Sequence, residues 1–254
     1  MTAATATQDT LVLEGIAKRF GSVSALRGAS IAARTGEITA IVGDNGAGKS
    51  TLIKCLTGVH RPDEGEITVD GVPVDFHSPE DSRKAGIEAV YQDLALADDL
   101  AVWQNLFLNR EKTRGFGPLR LLDRRGMRRE ADAMVRRLAV NVPPVRSRVR
   151  RLSGGQRQAV AICRAAGFGS RIVIMDEPTA ALGHRETQRA EELIASLRDH
   201  GLAVLLISHD FAQVQRLAQR VYVMRGGRVT ARLRREDINT ERLVALVTGA
   251  EEDE

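Results

Sequence analysis

No apolar run in the sequence approaches the roughly 18–20 residues needed to cross a bilayer. The longest candidates, Ile172 to Met175 and Leu202 to Ile207, have the length of buried strands. The first residues, Met1 to Asp9, lack the basic region and apolar stretch of a secretory signal. Any work at a membrane is therefore expected from the water side and through a partner. Cysteine is nearly absent. Cys55 and Cys163 each sit among apolar neighbours in an apparent helix, which argues for buried thiols in a reducing compartment and against a disulfide or metal site. Aromatic residues make up only 4%, too few for the base-stacking platforms of single-strand nucleic-acid binders.

What is present suits a soluble globular chain. At 254 residues one substantial domain can bury a full core, with little room for a second. Hydrophobic residues at 43% and charged residues at 28% lie near globular averages. The net charge of +4 is uneven, because arginines crowd the stretch from Arg110 to Arg151, among them Arg124, Arg125, Arg128, Arg129, Arg136 and Arg137. A solvated helical face is the plain expectation; nucleic acid, acidic lipid or an acidic protein face are the alternatives.

Along the chain, short strands are expected at Leu11 to Leu13, Ser30 to Ala33 and Glu37 to Val42. The third runs into a glycine-rich turn, and a helix follows with Leu52, Ile53, Leu56 and Val59 at helical spacing. A strand over 65–71, a helix from Pro79 to Ala85 and a strand from Ile87 to Tyr91 come next. From Val102 to Ala166 the pattern is mostly helical, broken by a loop at Thr113 to Pro118 and by Pro143-Pro144. Alternation then resumes with strands at 172–175, 203–207 and 221–224 and helices at 184–200 and 211–218. Buried strand runs alternating with helices argue for an α/β core with a mainly parallel sheet. The helical stretch reads as an insertion and the acidic end, Glu251 to Glu254, as a solvated tail.

Gly43-Asp44-Asn45-Gly46-Ala47-Gly48-Lys49-Ser50-Thr51 fits the phosphate-binding P-loop between strand and helix. Its glycines let successive N–H groups converge on phosphate, and the helix adds its positive end. Lys49 is expected to reach the terminal phosphates and Ser50 to ligate Mg²⁺. This motif alone leaves kinases, GTPases and many ATPases open.

Asp176 and Glu177 end the apolar strand from Ile172, where an open α/β sheet binds its ligands. Asp176 fits the magnesium shell and Glu177 the general base for an attacking water. Adjacent strand residues point to opposite faces, so their convergence requires a change of backbone at Glu177. Pro178 favours an extended or turn geometry there.

Leu152-Ser153-Gly154-Gly155-Gln156 opens a further helix and forms a second anion site, with free N–H groups and a helix dipole behind them. With this motif the sequence resembles the ABC (ATP-binding cassette) ATPases, and the resemblance covers nearly the whole chain in family order. It implies the family fold: a P-loop core, an N-terminal antiparallel β subdomain and a helical subdomain inserted at about residues 93–166, together one ATP-binding domain over 1–254. It implies that Ser153 and Gly155 bind the γ-phosphate on another copy's P-loop, with Gly154 and Gln156 in the same ATP-binding motif, in a head-to-tail pair enclosing two ATP molecules with Mg²⁺. Phe20 takes the place of the aromatic that stacks on adenine. Gln92 matches the glutamine that senses Mg²⁺ or water and links the site to a transmembrane partner. His209 matches the switch histidine on the γ-phosphate. Lys49, Gln92, Glu177 and His209 would then be the catalytic set, with Ser50, Gln92 and Asp176 around the metal. One departure is Gly183, where most of the family has an Asp that connects the two sites.

Several stretches, Ile41 to Ser50, Ser82 to Ile87, Val90 to Leu96 and Met175 to Gly183, resemble the ATPases of bacterial monosaccharide importers of the ribose, xylose and fructose type. That likeness implies a homodimer peripheral to the cytoplasmic face of the cell membrane. Its partners would be permease subunits and, indirectly, a periplasmic or extracellular solute-binding protein, with no nucleic acid. Trp103 and Phe107 lie where such cassettes meet the permease, and core packing is their competing explanation. The alternative function is a soluble ABC ATPase acting on nucleic acid or ribosomes through the arginine-rich segment.

Overall fold

The computed structural model describes residues 9–115, 120–138 and 140–251. Residues 116–118 of the expected loop and 252–254 of the acidic tail lie outside them, as does the stretch before Asp9. In chain order the elements begin with β1 (Leu11–Phe20), β2 (Val23–Ala33), β3 (Ile38–Val42), α1 (Lys49–Leu56), β4 (Glu64–Val69), β5 (Val72–Val74), α2 (Pro79–Lys84) and β6 (Ile87–Val90). Next come α3 (Val102–Leu106), β7 (Thr113–Arg114), β8 (Leu121–Leu122), α4 (Arg124–Arg137) and α5 (Gly154–Ala166). The chain continues with β9 (Ile172–Asp176), α6 (His184–Asp199), β10 (Ala203–Ile207), α7 (Phe211–Leu217), β11 (Arg220–Arg225), β12 (Arg228–Arg234) and α8 (Thr240–Thr248). They fall into two compact units. The first comprises Met1–Ala89, Ser170–Glu177 and Leu197–Glu254; the second comprises Val90–Gly169 and Pro178–Ser196.

In the first unit a six-stranded sheet runs β12-β11-β3-β10-β9-β6, and a four-stranded sheet runs β2-β1-β4-β5. All five residues of β3 and of β10 are buried, as suits parallel strands covered on both faces. β10 pairs in parallel with β3 and β9, setting Ile207 beside both Ile41 and Asp176. The carboxyl ends of these three strands therefore share one edge. β12 adds antiparallel to β11, and the smaller sheet is antiparallel throughout. Leu11, Leu13, Ile16 and Leu26 join Ile41, Leu52, Leu56, Leu205 and Tyr222 in one core. The Tyr222 hydroxyl ties that core to β2 by accepting the Ala32 N–H at 3.0 Å.

The second unit is mostly helical. Its core takes Val102, Leu106 and Phe107 together with Met127, Ala131 and Met134 of α4 and Val160 and Ile162 of α5. Phe107 meets Phe168 edge to face at 5.2 Å. Trp103 is buried beneath the Arg128 guanidinium, 5.1 Å from the ring. Trp103 and Phe107 are thus core residues. Arg124, Arg125, Arg129, Arg136 and Arg137 are exposed along α4.

Several expectations need correction. Helix α1 stops at Leu56, and Val59, beyond the left-handed Gly58, is exposed and not part of its apolar face. The segment from Val102 is less helical than its pattern suggests, because α3 has five residues and the expected loop begins as the hairpin strand β7, paired with β8. β12 and α8 were not anticipated. α8 is opened by Asn239, whose side chain accepts the Arg242 N–H, and closed by Gly249 at φ 78°.

Candidate functional site

The turn after β3 is shaped by steric necessity at two glycines. A Cβ on Gly43 would lie 2.2 Å from the Met224 carbonyl oxygen, and one on Gly48 would lie 2.8 Å from that of Ala25. Gly48 also has φ 104° at the N-cap of α1, a conformation that suits glycine alone. The Leu52 N–H donates back to the Gly48 carbonyl at 2.9 Å, so α1 begins directly at the loop. Its N-terminal dipole points at the concavity. Lys49 folds over the loop, and its Nζ donates to the carbonyls of Gly43 at 2.6 Å and Asp44 at 2.9 Å. Burial pushes the Lys49 ammonium down from its usual value, opposed by the charges of Glu177, Asp176 and Asp44. A cationic group held among three carboxylates and short of solvent is well placed to gain from an incoming polyanion.

Asp176 ends β9 half-buried. Burial first, then the neighbouring Glu177, hold its carboxyl above the usual range, while Lys49 pulls it back. The backbone change required for the two carboxylates to converge is present, since Glu177 has φ 51°, the left-handed region that non-glycine residues avoid. Its N–H donates to the Ile207 carbonyl at 2.9 Å, pinning the end of β9 to the end of β10. Two residues past Ile207, His209 places Nδ1 2.7 Å from Glu177 Oε2. The contact orients an exposed imidazole ring through Nδ1 against a carboxylate that is largely shielded from solvent. The first unit thus gathers Lys49, Asp176, Glu177 and His209 at one edge of its sheet.

The donor set suits a magnesium ion. That ion takes hard oxygen ligands and is usually held by one or two carboxylates plus substrate phosphates rather than by an all-protein cage. The exposed Ser50 hydroxyl in the first turn of α1 and the Asp176 carboxylate supply that partial shell. No group of three or more His, Cys, Asp or Glu among the described residues could hold a metal alone.

Phe20, at the end of β1, is 44% exposed and meets His60 edge to face at 5.1 Å, with Lys18 Nζ 5.8 Å from its centroid. A large aromatic left this open is available for stacking. Nothing in the spacing of the sequence marks His60 as the ring that Phe20 meets.

In the second unit Gln92 lies exposed in the loop after β6, and Ser153 caps α5. Ser153 Oγ accepts the Gln156 N–H at 3.3 Å, and Gln156 Oε1 accepts the Ser153 N–H at 3.1 Å, a reciprocal capping box. The expected free N–H groups are corrected here. The Gln156 donor is used by the cap, and the Glu186 side chain packs against Gly155 and lines the same cavity as Ser153. The sequence gives no sign of Glu186, because only the fold brings it beside Ser153.

A sequence profile described as ABC transporter matches residues 26–180. The xylose/arabinose import ATP-binding protein XylG of Sulfolobus acidocaldarius is 42% identical, over 95% of this chain and 94% of its own. The fructose import ATP-binding protein FrcA of Rhizobium meliloti is 46% identical, over 95% of each. Among solved structures, a nucleotide-free ATP-binding cassette from an ABC transporter superposes with a TM-score of 0.83 at 27% identity, covering 96% of this chain and 98% of that one. The ADP conformation of another ABC transporter cassette gives 0.80 at 26% identity, covering 95% and 96%. With the P-loop, the paired carboxylates and the Ser153 helix in family order, this chain belongs to the ABC transporter family as one of its ATP-binding cassettes.

Proposed function

We propose that the chain is the ATP-hydrolysing subunit of an importer for a monosaccharide. Two copies would close head to tail on two ATP molecules and drive a membrane permease from its cytoplasmic side. The observation that carries the hydrolytic part is the Glu177–His209 pair at 2.7 Å, at the strand edge that bears the P-loop. The cargo class rests on the relatives, whose names specify import of xylose/arabinose and of fructose.

Each residue has a role. The backbone N–H groups of 43–51 and the Lys49 ammonium bind phosphate, and Phe20 stacks on the base. Lys49 leaves the two carbonyls it now meets when phosphate offers a stronger, charged acceptor. Glu177 takes the proton of the attacking water, and His209, oriented through Nδ1, presents Nε2 to the γ-phosphate. Gln92 positions that water. Magnesium, held by Ser50 and Asp176 with Gln92 nearby, would supply charge neutralisation on the phosphate oxygens. Ser153, Gly155 and their helix N-terminus complete the site of the opposite copy.

Two measurements test this. Lys49→Ala should lose most of its nucleotide affinity, and unchanged binding would contradict the cradle. Glu177→Gln should bind ATP, stop turning over and double its mass in solution by light scattering. A variant that hydrolyses ATP normally removes Glu177 as the base. For the cargo, uptake of labelled pentoses and hexoses by cells with and without the gene decides the class; equal uptake of all of them rules out sugar import.

A further inference from the structure

Glu186, at the third position of α6, stands at the N-terminal ends of two helices. Its side chain lies against the first turn of α5: its carboxyl carbon is 3.3 Å from where a Cβ on Gly155 would be, and its Oε2 is 3.7 Å from where one on Gly154 would be. Gly183 opens α6, its carbonyl accepting the Glu186 and Thr187 N–H groups at 2.9 Å, and it has no side chain with which to cap the helix. Gly155 is what lets it approach α5, since a Cβ there would lie 3.0 Å from Glu186 Cβ and 3.1 Å from its Cγ. The nearby Ser153 hydroxyl first, then the Gly155 and Gly183 N–H dipoles and the Arg189 charge, hold the Glu186 carboxyl below the usual range, so it is charged at neutral pH. An anion therefore stands at the head of α5, against the turn that the proposed function reserves for a terminal phosphate.

The geometry points to Glu186 as a built-in competitor for the γ-phosphate at Ser153 and Gly155, closing that half-site until a nucleotide on another copy displaces it. The inference rests on the proposed role of Ser153 and Gly155 and adds a regulator to it. A phosphate at the head of α5 would meet this carboxylate at contact distance, where like charges repel. A place for the displaced side chain exists. A cavity of about 410 Å³ opens beside it, with an apolar floor that includes Leu138, Ala159 and Leu193 and with Arg189 on its wall. Glu186 and Arg189, three residues apart on α6, line the same cavity, so a change of rotamer would give the displaced carboxylate room beside a cation. The unpaired cassette is thereby held in a state of low affinity for a partner's nucleotide, and pairing begins only when ATP outcompetes an internal anion.

The test uses the full chain with Glu177→Gln, so that closed pairs accumulate, and reads dimer mass by light scattering against ATP concentration. Glu186→Gln removes the charge but keeps the shape of the side chain. It should lower the ATP needed for half-maximal pairing by about threefold to tenfold, the net worth of one typical hydrogen bond. Glu186→Ala should lower it at least as far, with thermal unfolding monitored to verify its fold. An unchanged or higher ATP requirement in Glu186→Gln overturns the inference. Ser153→Arg in the same background separates the layers. If it still pairs like its parent, the role of Ser153 itself fails, and the competitor falls with it. If it fails to pair while Glu186→Gln is unaltered, only the competitor is lost.

Discussion

His209 Nδ1 rests 2.7 Å from the Glu177 carboxylate, and the contact joins the residue after β9 to the second residue after β10. Parallel pairing of the two strands sets this distance, since Ile207 stands beside Asp176 and both chains leave the sheet together. His209→Ala removes the group that fixes the Glu177 rotamer and its own Nε2, while leaving the P-loop intact. Hydrolysis at saturating ATP should fall by roughly 100-fold or more, the scale of a lost acid–base partner. Nucleotide affinity should change little. A variant that hydrolyses ATP normally would show that the pair is merely a surface contact.

The P-loop makes a prediction that distinguishes crowding from conformation. Gly43→Ala drives a methyl to 2.2 Å from the Met224 backbone oxygen, which cannot move without shifting β11. Gly46→Ala meets open space and faces only the cost of a positive φ of 83°. The first should therefore be destabilised by about 3 kcal/mol and the second by about 1 kcal/mol. Chemical denaturation of both variants checks the order; equal losses would mean that the loop yields at Gly43.

Which parts were legible in the sequence follows from the physics of each. The P-loop and the Asp176–Glu177 pair were readable because backbone cradles and strand ends demand fixed residue types at fixed spacing. β1 was recognised only over Leu11 to Leu13. Register shifts after Leu13, between Ile16 and Ala17 and after Lys18 break the alternation that marks a half-buried strand. β7 and β8 have two residues each, too short for any period. α8 did carry signals, an Asn239 cap ahead of Leu243, Leu246 and Val247, but within nine residues they are weak. Trp103 and Phe107 show the limit of spacing: it put both on one face without telling whether that face is covered. Glu186 was unreadable, since its chemistry arises from a tertiary contact.

Backbone strain at Glu177 predicts an inverted order of substitutions. Left-handed geometry costs a non-glycine residue about 1–2 kcal/mol, and glycine is exempt. Both Glu177→Ala and Glu177→Gly lose the His209 contact, so comparing them isolates the backbone. Glycine normally destabilises relative to alanine by roughly 0.5–1 kcal/mol in regular structure. At φ 51° the order should reverse, with Glu177→Gly the more stable by about 1 kcal/mol. Thermal unfolding of the two variants measures it. Alanine as the more stable replacement would mean that the turn relaxes when the carboxylate is gone. Neither variant should hydrolyse ATP, so stability and activity part company at this residue.

The two thiols give a prediction on alkaline pH. Burial pushes the Cys55 thiol from 9.0 up to about 11, helped by Asp63 and opposed by Lys18. Burial likewise pushes Cys163 from 9.0 up to about 12, opposed by Arg137. Folding thus favours the protonated form. The resulting stability is fully present below pH 9 and drains away as pH rises through about 11 for Cys55 and about 12 for Cys163. Other groups titrate in that range, so the useful quantity is a difference. A Cys55→Ala, Cys163→Ala double variant should show a shallower decline of its denaturation midpoint between pH 9 and 11 than the parent. At pH 8 the native parent should resist a thiol reagent and expose both thiols only in denaturant. Parallel pH profiles for parent and double variant, or rapid labelling of the native chain, would mean that water reaches the sulfurs in the folded state.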